Sequence, residues 1–427
     1  MSGRRTRGWL LRSCRISRKL TGLILVSSFL FLSCQHATSQ EVVKPGDQVL
    51  LEHYLPELQG KRVGLVMNPT ARVNGVHMLD TLLSRGVNVT ALFGPEHGFR
   101  GQKGAGEQIV NGVDSATGIP VYSLYGKIRK PTAKMLKNVD VLIYDMQDVG
   151  VRFYTYISTL GLVLESAADN HKPVWILDRP DPAGGNYMAG WVRQPGFESF
   201  VGAYPVPVAY GMTIGELAKM MVGEDWLDTK NKPDIRVIKC EGWHRDDRWP
   251  ATGLNWFPPS PNLPHFKNAF VYLGTCVFEG TSISEGRGTP EPFLTIGSPY
   301  ISFATSELGP LEQKYNVELS KISFTPKSIP GKSLHPKYEG QECTGVSIDL
   351  NDKQISKLDP VAFGYDLMKF MLHHSVKDSV NNYLKLLAGT NDYKEFLGSS
   401  TDKSPDSYWE EQVKNFARER KPYLIYK

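Results

Sequence analysis

Residues 278 to 288 read FEGTSISEGRG and place two carboxylates, Glu279 and Glu285, six positions apart with Arg287 beside the second. Glycines at 280, 286 and 288, with Ser and Thr between them, disfavour a stable helix. Solvated loops often carry such charges. The sharper reading is a pair of acids acting on a glycosidic bond, one protonating the leaving oxygen while the other supports positive charge at the anomeric carbon. Burial against rings would raise the pKa of one acid, and a neighbouring guanidinium would keep the other ionised. Arginine also suits a ligand carboxylate, which it grips through a bidentate fork.

Polar and charged groups recur where apolar runs end. Asn68-Pro69-Thr70 follows Arg62 to Met67, Glu96, His97 and Arg100 follow Val87 to Phe93, Asp145, Asp148 and Arg152 follow Val139 to Tyr144, and Asp178 and Arg179 follow Pro173 to Leu177. Near-continuous Val, Ile, Leu and aromatic side chains predict strands buried on both faces. Between them lie predicted helices at Val76 to Ser84, Thr132 to Lys137 and Thr155 to Asp169, the last with Ile157, Leu160, Leu164 and Ala168 at helical spacing. Strands alternating with helices imply an α/β chain with a doubly wound, mostly parallel sheet. Ligands of such a sheet bind beyond the carboxyl ends of the strands, so these exits are expected along one edge. Any one of them alone reads as a turn acid or a helix cap; their succession favours a shared site.

Further along, a helix is predicted at Ile214 to Trp226 and an extended segment at Ile235 to Cys240. Trp256-Phe257-Pro258-Pro259-Ser260-Pro261-Asn262 reads equally as a rigid cover over a core edge or as a flat wall for sugar rings. Beyond about residue 300 the alternation loosens, with strands at Ile322 to Phe324 and Gly345 to Leu350 and helices at Val361 to His373, Ser379 to Leu387 and Ser407 to Arg420, as in a smaller α+β C-terminal domain. The chain is thus read as an export signal over 1–39, a sheet domain over 40–300 and an α+β domain over 301–427.

The first segment sets the compartment. Arg4, Arg5, Arg7, Arg12, Arg15, Arg18 and Lys19 precede an apolar run, Leu20 to Leu32, of 13 residues, too short for a permanent span. The run ends at Ser33-Cys34, which resembles a bacterial lipoprotein signal with Cys34 acylated; ordinary cleavage after Ala37-Thr38-Ser39 is the competing reading. An exported, periplasmic, membrane-anchored lipoprotein is expected, touching the membrane only through that anchor. Without those seven residues the 49 Lys and Arg fall to 42 against 44 Asp and Glu, so the positive charge of the whole chain gives no case for nucleic acid. Cys240, Cys276 and Cys343 are widely spaced and define no disulfide framework or metal motif. No HExxH or paired histidine spacing points to a metal, and no Gly-x-Ser-x-Gly points to an esterase. Gly101-Gln102-Lys103-Gly104-Ala105-Gly106 is misplaced for a dinucleotide fingerprint, being preceded by Glu-His-Gly-Phe-Arg after a later strand, and reads as a mobile loop near the pocket. No cofactor is expected.

Five motifs, Phe93-Gly94-Pro95-Glu96-His97-Gly98-Phe99-Arg100-Gly101, Tyr144-Asp145-Met146-Gln147-Asp148-Val149-Gly150-Val151-Arg152-Phe153-Tyr154-Thr155-Tyr156, Leu177-Asp178-Arg179-Pro180, Pro258-Pro259-Ser260-Pro261-Asn262 and Phe278-Glu279-Gly280-Thr281 through Ser284-Glu285-Gly286-Arg287-Gly288-Thr289, together resemble the NamZ-type exo-β-N-acetylmuramidases. The resemblance runs from about residue 48 to Tyr426. It implies a Rossmann-like catalytic domain, a C-terminal auxiliary domain, an active site between them, and release of N-acetylmuramic acid from non-reducing ends of peptidoglycan fragments. The partners expected are muramic acid-containing saccharides. Glu96 and Glu279 are the expected catalytic pair, with His97 and Glu285 orienting or relaying protons; a loop-tying bond for His97 and a salt bridge to Arg287 for Glu285 stay open. Arg100, Arg152 and Arg287 are expected to face the lactyl carboxylate, and Asp145, Asp148 and Asp178 to bind substrate, the first two by holding hydroxyls or the loop itself. The alternative is a lipid-anchored glycan-binding protein without catalysis.

Overall fold

The apolar runs that the sequence separates by helices lie side by side. The computed structural model describes residues 42–100, 111–400 and 403–427; the expected signal with Cys34 and the glycine stretch 101–106 lie outside them. Six strands, β1 (Arg62–Met67), β2 (Asn88–Gly94), β3 (Pro120–Ser123), β4 (Val141–Asp145), β5 (Val174–Leu177) and β6 (Ile235–Ile238), pair in parallel in the order β3-β2-β1-β4-β5-β6. A short antiparallel segment, Gly112–Val113, completes a seven-stranded sheet beside β3. The order reverses direction between β1 and β4, the arrangement of doubly wound, Rossmann-like folds.

Both faces are covered, which is why the runs are almost unbroken. Val66, Leu142, Tyr144 and Ile176 point into one core, and Val63, Leu65, Val141 and Ile143 into the other. Helix α1 (Met78–Ser84) gives Leu79 and Leu82 to the second core, and α2 (Tyr156–Asp169) gives Ile157, Leu160 and Leu164 to the first. Each such fully buried side chain stabilises the fold by about 1.5–3 kcal/mol. Helix α3 (Ile214–Gly223) starts with a capping box in which the Thr213 side chain accepts from the Glu216 N–H.

Three strands, β7 (Thr295–Ser298), β8 (Glu318–Phe324) and β9 (Cys343–Asp349), form an antiparallel sheet in the order β7-β9-β8, the centre of a smaller α+β C-terminal domain. This sheet draws on chain from both sides of position 300. Helix α4 (Phe266–Thr275) meets α5 (Pro360–His373) at two glycines: a Cβ on Gly274 would lie 1.8 Å from the Pro360 carbonyl oxygen, and one on Gly364 would strike Gly274. Only glycine permits so close a crossing. Residues 42–427 form one compact unit. Cys240, Cys276 and Cys343 are buried free thiols, and no helix among the described residues is long and apolar enough to cross a membrane.

Candidate active site

The exit of β2 is a tight turn. The Gly98 N–H donates to the Pro95 carbonyl at 2.9 Å, and His97, buried, adopts a left-handed φ of 72°. A non-glycine residue held in that region stores strain, a recurrent property of functional loops. A Cβ on Gly94 would lie 3.1 Å from the Phe99 nitrogen, so the turn folds against the strand end. It projects Glu96 toward the start of α2, where the Thr155 hydroxyl donates to Glu96 Oε2 at 2.9 Å. Tyr125, just beyond β3, also hydrogen-bonds Glu96; burial and then the negative charge of Glu96 push its phenol up to about 12.

The other acid comes from α4, which runs on into a 3-10 turn, Cys276–Gly280, carrying Glu279. Arg287 Nη2 donates to Glu279 Oε1 at 2.6 Å, and its Nε lies 3.5 Å from Glu285 Oε1. Lys337 Nζ lies 2.9 Å from Glu285 Oε2 and donates to the carbonyls of Phe278 at 2.7 Å and Ile283 at 3.0 Å. Carboxylate, guanidinium, carboxylate and ammonium therefore alternate in one chain of contacts. The Arg287 guanidinium lies 5.0 Å from the Phe293 ring centroid. The small residues of FEGTSISEGRG serve close packing: a Cβ on Gly280 would come within 2.6 Å of Leu384, and the Ser282 hydroxyl donates to Asp378 Oδ1 at 2.6 Å.

Both acids face one cavity of about 250 Å³. Glu96, His97, Glu279 and Arg287 line it, with Thr155 and Arg129 and the rings of Tyr125, Phe200, Tyr272, Phe293 and Tyr383. The Tyr383 phenol is pushed up by burial and then by the charges of Glu279 and, more weakly, Glu96, so it lies within electrostatic reach of both. The sequence pointed to Glu96, His97, Glu279 and Arg287; it held Thr155 only as a motif member and helix start, and gave no sign of Tyr125, Arg129 or Tyr383. The Trp256 to Asn262 stretch acts mainly as cover. The Trp256 indole packs on Trp249 and Phe266 and donates to the Leu263 carbonyl at 3.0 Å, leaving Ser260 at the cavity edge.

The other expected site residues lie elsewhere. Glu285, buried, sits behind Arg287 in the salt bridge that was one of its two readings. Arg100 donates to Asp114 at 3.1 and 3.2 Å instead of facing the cavity. Arg152 is fully buried and donates to the carbonyls of Trp191, Val206 and Leu387, each at 2.7 Å; burial pulls it down to about 10. It holds backbone and does not line the cavity that a ligand carboxylate would enter. Asp145 receives Arg179 Nε at 2.8 Å, and burial pushes it up to about 7 against that pairing. Asp148 accepts from the Gly150 N–H at 2.8 Å and from the Tyr210 hydroxyl, and burial pushes it up to about 6. Asp178 accepts from Thr213 Oγ1 at 2.7 Å, the Gly215 N–H at 2.8 Å and the Tyr426 hydroxyl at 2.6 Å, and burial again pushes it up to about 6. These three aspartates fasten loops and a helix start, away from the cavity that holds Glu96 and Glu279.

A larger cavity, about 350 Å³, opens near the ends of β1 and β4, lined by Thr70, Gln147, Arg179, Asp47, Trp249 and Phe257 among others. Its one acid, Asp47, is locked to Arg179, so it holds no pair of acids for acid–base work. The group of acids and histidine that the described residues bring within reach of a common ion is Glu52, His53 and Glu241, exposed and outside both cavities.

Comparison with known proteins gives the class, a glycoside hydrolase. Residues 63–267 match the N-terminal domain of the exo-β-N-acetylmuramidase NamZ, and residues 270–426 match its C-terminal domain; the chain belongs to the NamZ family. It is 39% identical over 420 residues to the peptidoglycan β-N-acetylmuramidase NamZ of Bacillus subtilis strain 168, covering 95% of this chain and 98% of that one. Two crystal structures of DUF1343-family proteins from Bacteroides fragilis NCTC 9343 superpose with TM-scores of 0.78 and 0.74 at 34% and 35% identity, each covering 90% of this chain and 99% of the other. The cavity takes residues from both matched stretches, Glu96 from the first and Glu279 from the second.

Proposed function

We propose that this protein is an exo-acting glycosidase that releases N-acetylmuramic acid from the non-reducing ends of peptidoglycan fragments, with Glu96 and Glu279 acting in a cleft between the two domains. The observation that carries this reading is the meeting of those carboxylates, from remote motifs, in one ring-walled cavity of about 250 Å³. Pockets for drug-sized ligands span roughly 300–1,000 Å³, so this one suits a single terminal sugar better than a chain. Glu279, ion-paired with Arg287, faces the positive charge that develops at the anomeric carbon. Glu96, oriented by the Thr155 and Tyr125 hydroxyls, hands a proton to the leaving oxygen. His97 orients the β2 turn, and Glu285 with Lys337 holds Arg287 in place. The 2-acetamido group of the sugar permits the substrate's own amide to assist.

The test is to incubate the protein with a disaccharide of N-acetylmuramic acid linked to N-acetylglucosamine and to identify the products by mass. Free N-acetylmuramic acid is expected. Saturable binding with no new reducing ends would mark a glycan-binding protein and overturn the hydrolase assignment. The N-terminal pattern further supports export to the periplasm and a lipid anchor on Cys34. Incorporation of labelled palmitate that survives Cys34→Ala would refute the anchor.

A further inference from the structure

We propose that Arg129 is the specificity residue of the cavity, receiving the carboxylate of the lactyl ether that distinguishes N-acetylmuramic acid from N-acetylglucosamine; this rests on the glycosidase reading above. Two guanidinium groups line the cavity, Arg129 and Arg287. Arg287 is committed, lying 2.6 Å from Glu279 and 3.5 Å from Glu285. Arg129 pairs with no described carboxylate. Its neighbour Lys130 is also committed, 3.2 Å from Glu165 and 3.1 Å from Asp169, so Arg129 is the cation of that loop directed at the cavity.

Arg129 is exposed yet placed. Its guanidinium lies 4.3 Å from the Phe200 ring centroid, and the Phe200 carbonyl is fixed by the Ser158 hydroxyl of α2 at 2.7 Å. A stacked guanidinium keeps its edge free for a bidentate carboxylate and loses little side-chain freedom on binding. Four residues earlier the same loop presents Tyr125 to Glu96, and the Arg129 charge is felt at that phenol. One short segment therefore contacts a catalytic acid and carries an open cation. The lactyl ether hangs from O3, on the ring carbon two bonds from the anomeric centre. A ring seated with its anomeric carbon at Glu96 and Glu279 sends that carboxylate sideways along the wall, not toward the leaving group. This loop is the wall with a cation to meet it.

The experiment measures dissociation constants of N-acetylmuramic acid and of its methyl ester for the wild type, Arg129→Met and Arg129→Lys, alongside release of N-acetylmuramic acid from the disaccharide. The wild type is expected to prefer the free acid by about tenfold, the preference of a partly exposed charge-assisted hydrogen bond. Arg129→Met should bind acid and ester alike and raise KM for the disaccharide more than it lowers kcat, and Arg129→Lys should restore part of the preference. A wild type blind to esterification, or an Arg129→Met that keeps the preference, overturns the assignment and leaves the hydrolase reading standing. A wild type that neither cleaves the disaccharide nor binds the acid overturns both.

Discussion

Two sets of carboxylates leave the same sheet and meet opposite fates. Glu96 at the end of β2 stays half-buried beside a cavity, while Asp145, Asp148 and Asp178, from the ends of β4 and β5 or just past them, are sealed. The sealed acids bond to neighbours of their own fold: Arg179 for Asp145, Tyr210 and the Gly150 amide for Asp148, and Thr213, Gly215 and Tyr426 for Asp178. Glu96 is held by hydroxyls from elements that also line the cavity. Position at a strand end therefore does not by itself bring an acid to the cavity. What matters is whether the following chain closes over it.

The contrast is broken most severely at the cavity. Glu96→Gln and Glu279→Gln should each lower kcat by about 10²–10⁴-fold, the usual worth of a positioned acid or base, with melting temperature near wild type. Retained turnover in either variant would remove that residue from the chemistry. Arg152→Leu should do the reverse. It removes three buried hydrogen bonds, leaving the Val206 carbonyl only its bond from the Arg193 N–H, and should cost about 3 kcal/mol or more of stability, read by denaturant unfolding, while a variant that remains folded keeps its KM.

Asp148 gives a subtler effect of defined sign. Its folded pKa of about 6 lies above the ordinary 3.8, so between those values the folded protein holds a proton that the unfolded chain has released. Stability contributed by that proton is complete below the unfolded pKa and is lost as pH rises through the folded one. Relative to Asp148→Asn, the wild type should lose up to about 3 kcal/mol of unfolding free energy between pH 4 and 7, and a pH-independent difference would contradict the buried state described for it. Tyr426→Phe, which deletes one donor to Asp178 and the acceptor of the Cys240 N–H, should cost about 2 kcal/mol, visible as a melting shift with unchanged kcat.

Much of the sheet was legible because burial on both faces writes itself as unbroken apolar runs, and α2 showed its spacing plainly. β3 and β7 were not. Each has four residues, the first beginning with Pro120 and the second containing Gly297, and neither gives a run or an alternation to read. That omission cost part of the site. Tyr125 and Arg129 follow β3, so the rule that drew attention to Glu96 would have reached them had the strand been visible. Glu279 and the Arg287 that pairs with it were legible from their local pattern, but the Lys337 clamp on Glu285 depends on a loop that returns some fifty residues later. Arg152 misled for a physical reason: a guanidinium bonded to main-chain carbonyls leaves no complementary acid in the sequence to betray it.

That buried guanidinium has a thermal consequence. It clasps carbonyls at 191 and 206 in its own matched stretch and at 387 in the other, so parting the halves would take one of three acceptors from a buried cation. Heating should therefore extinguish turnover and ellipticity in a single step, with no interval in which a loosened lobe still holds one competent half of the catalyst.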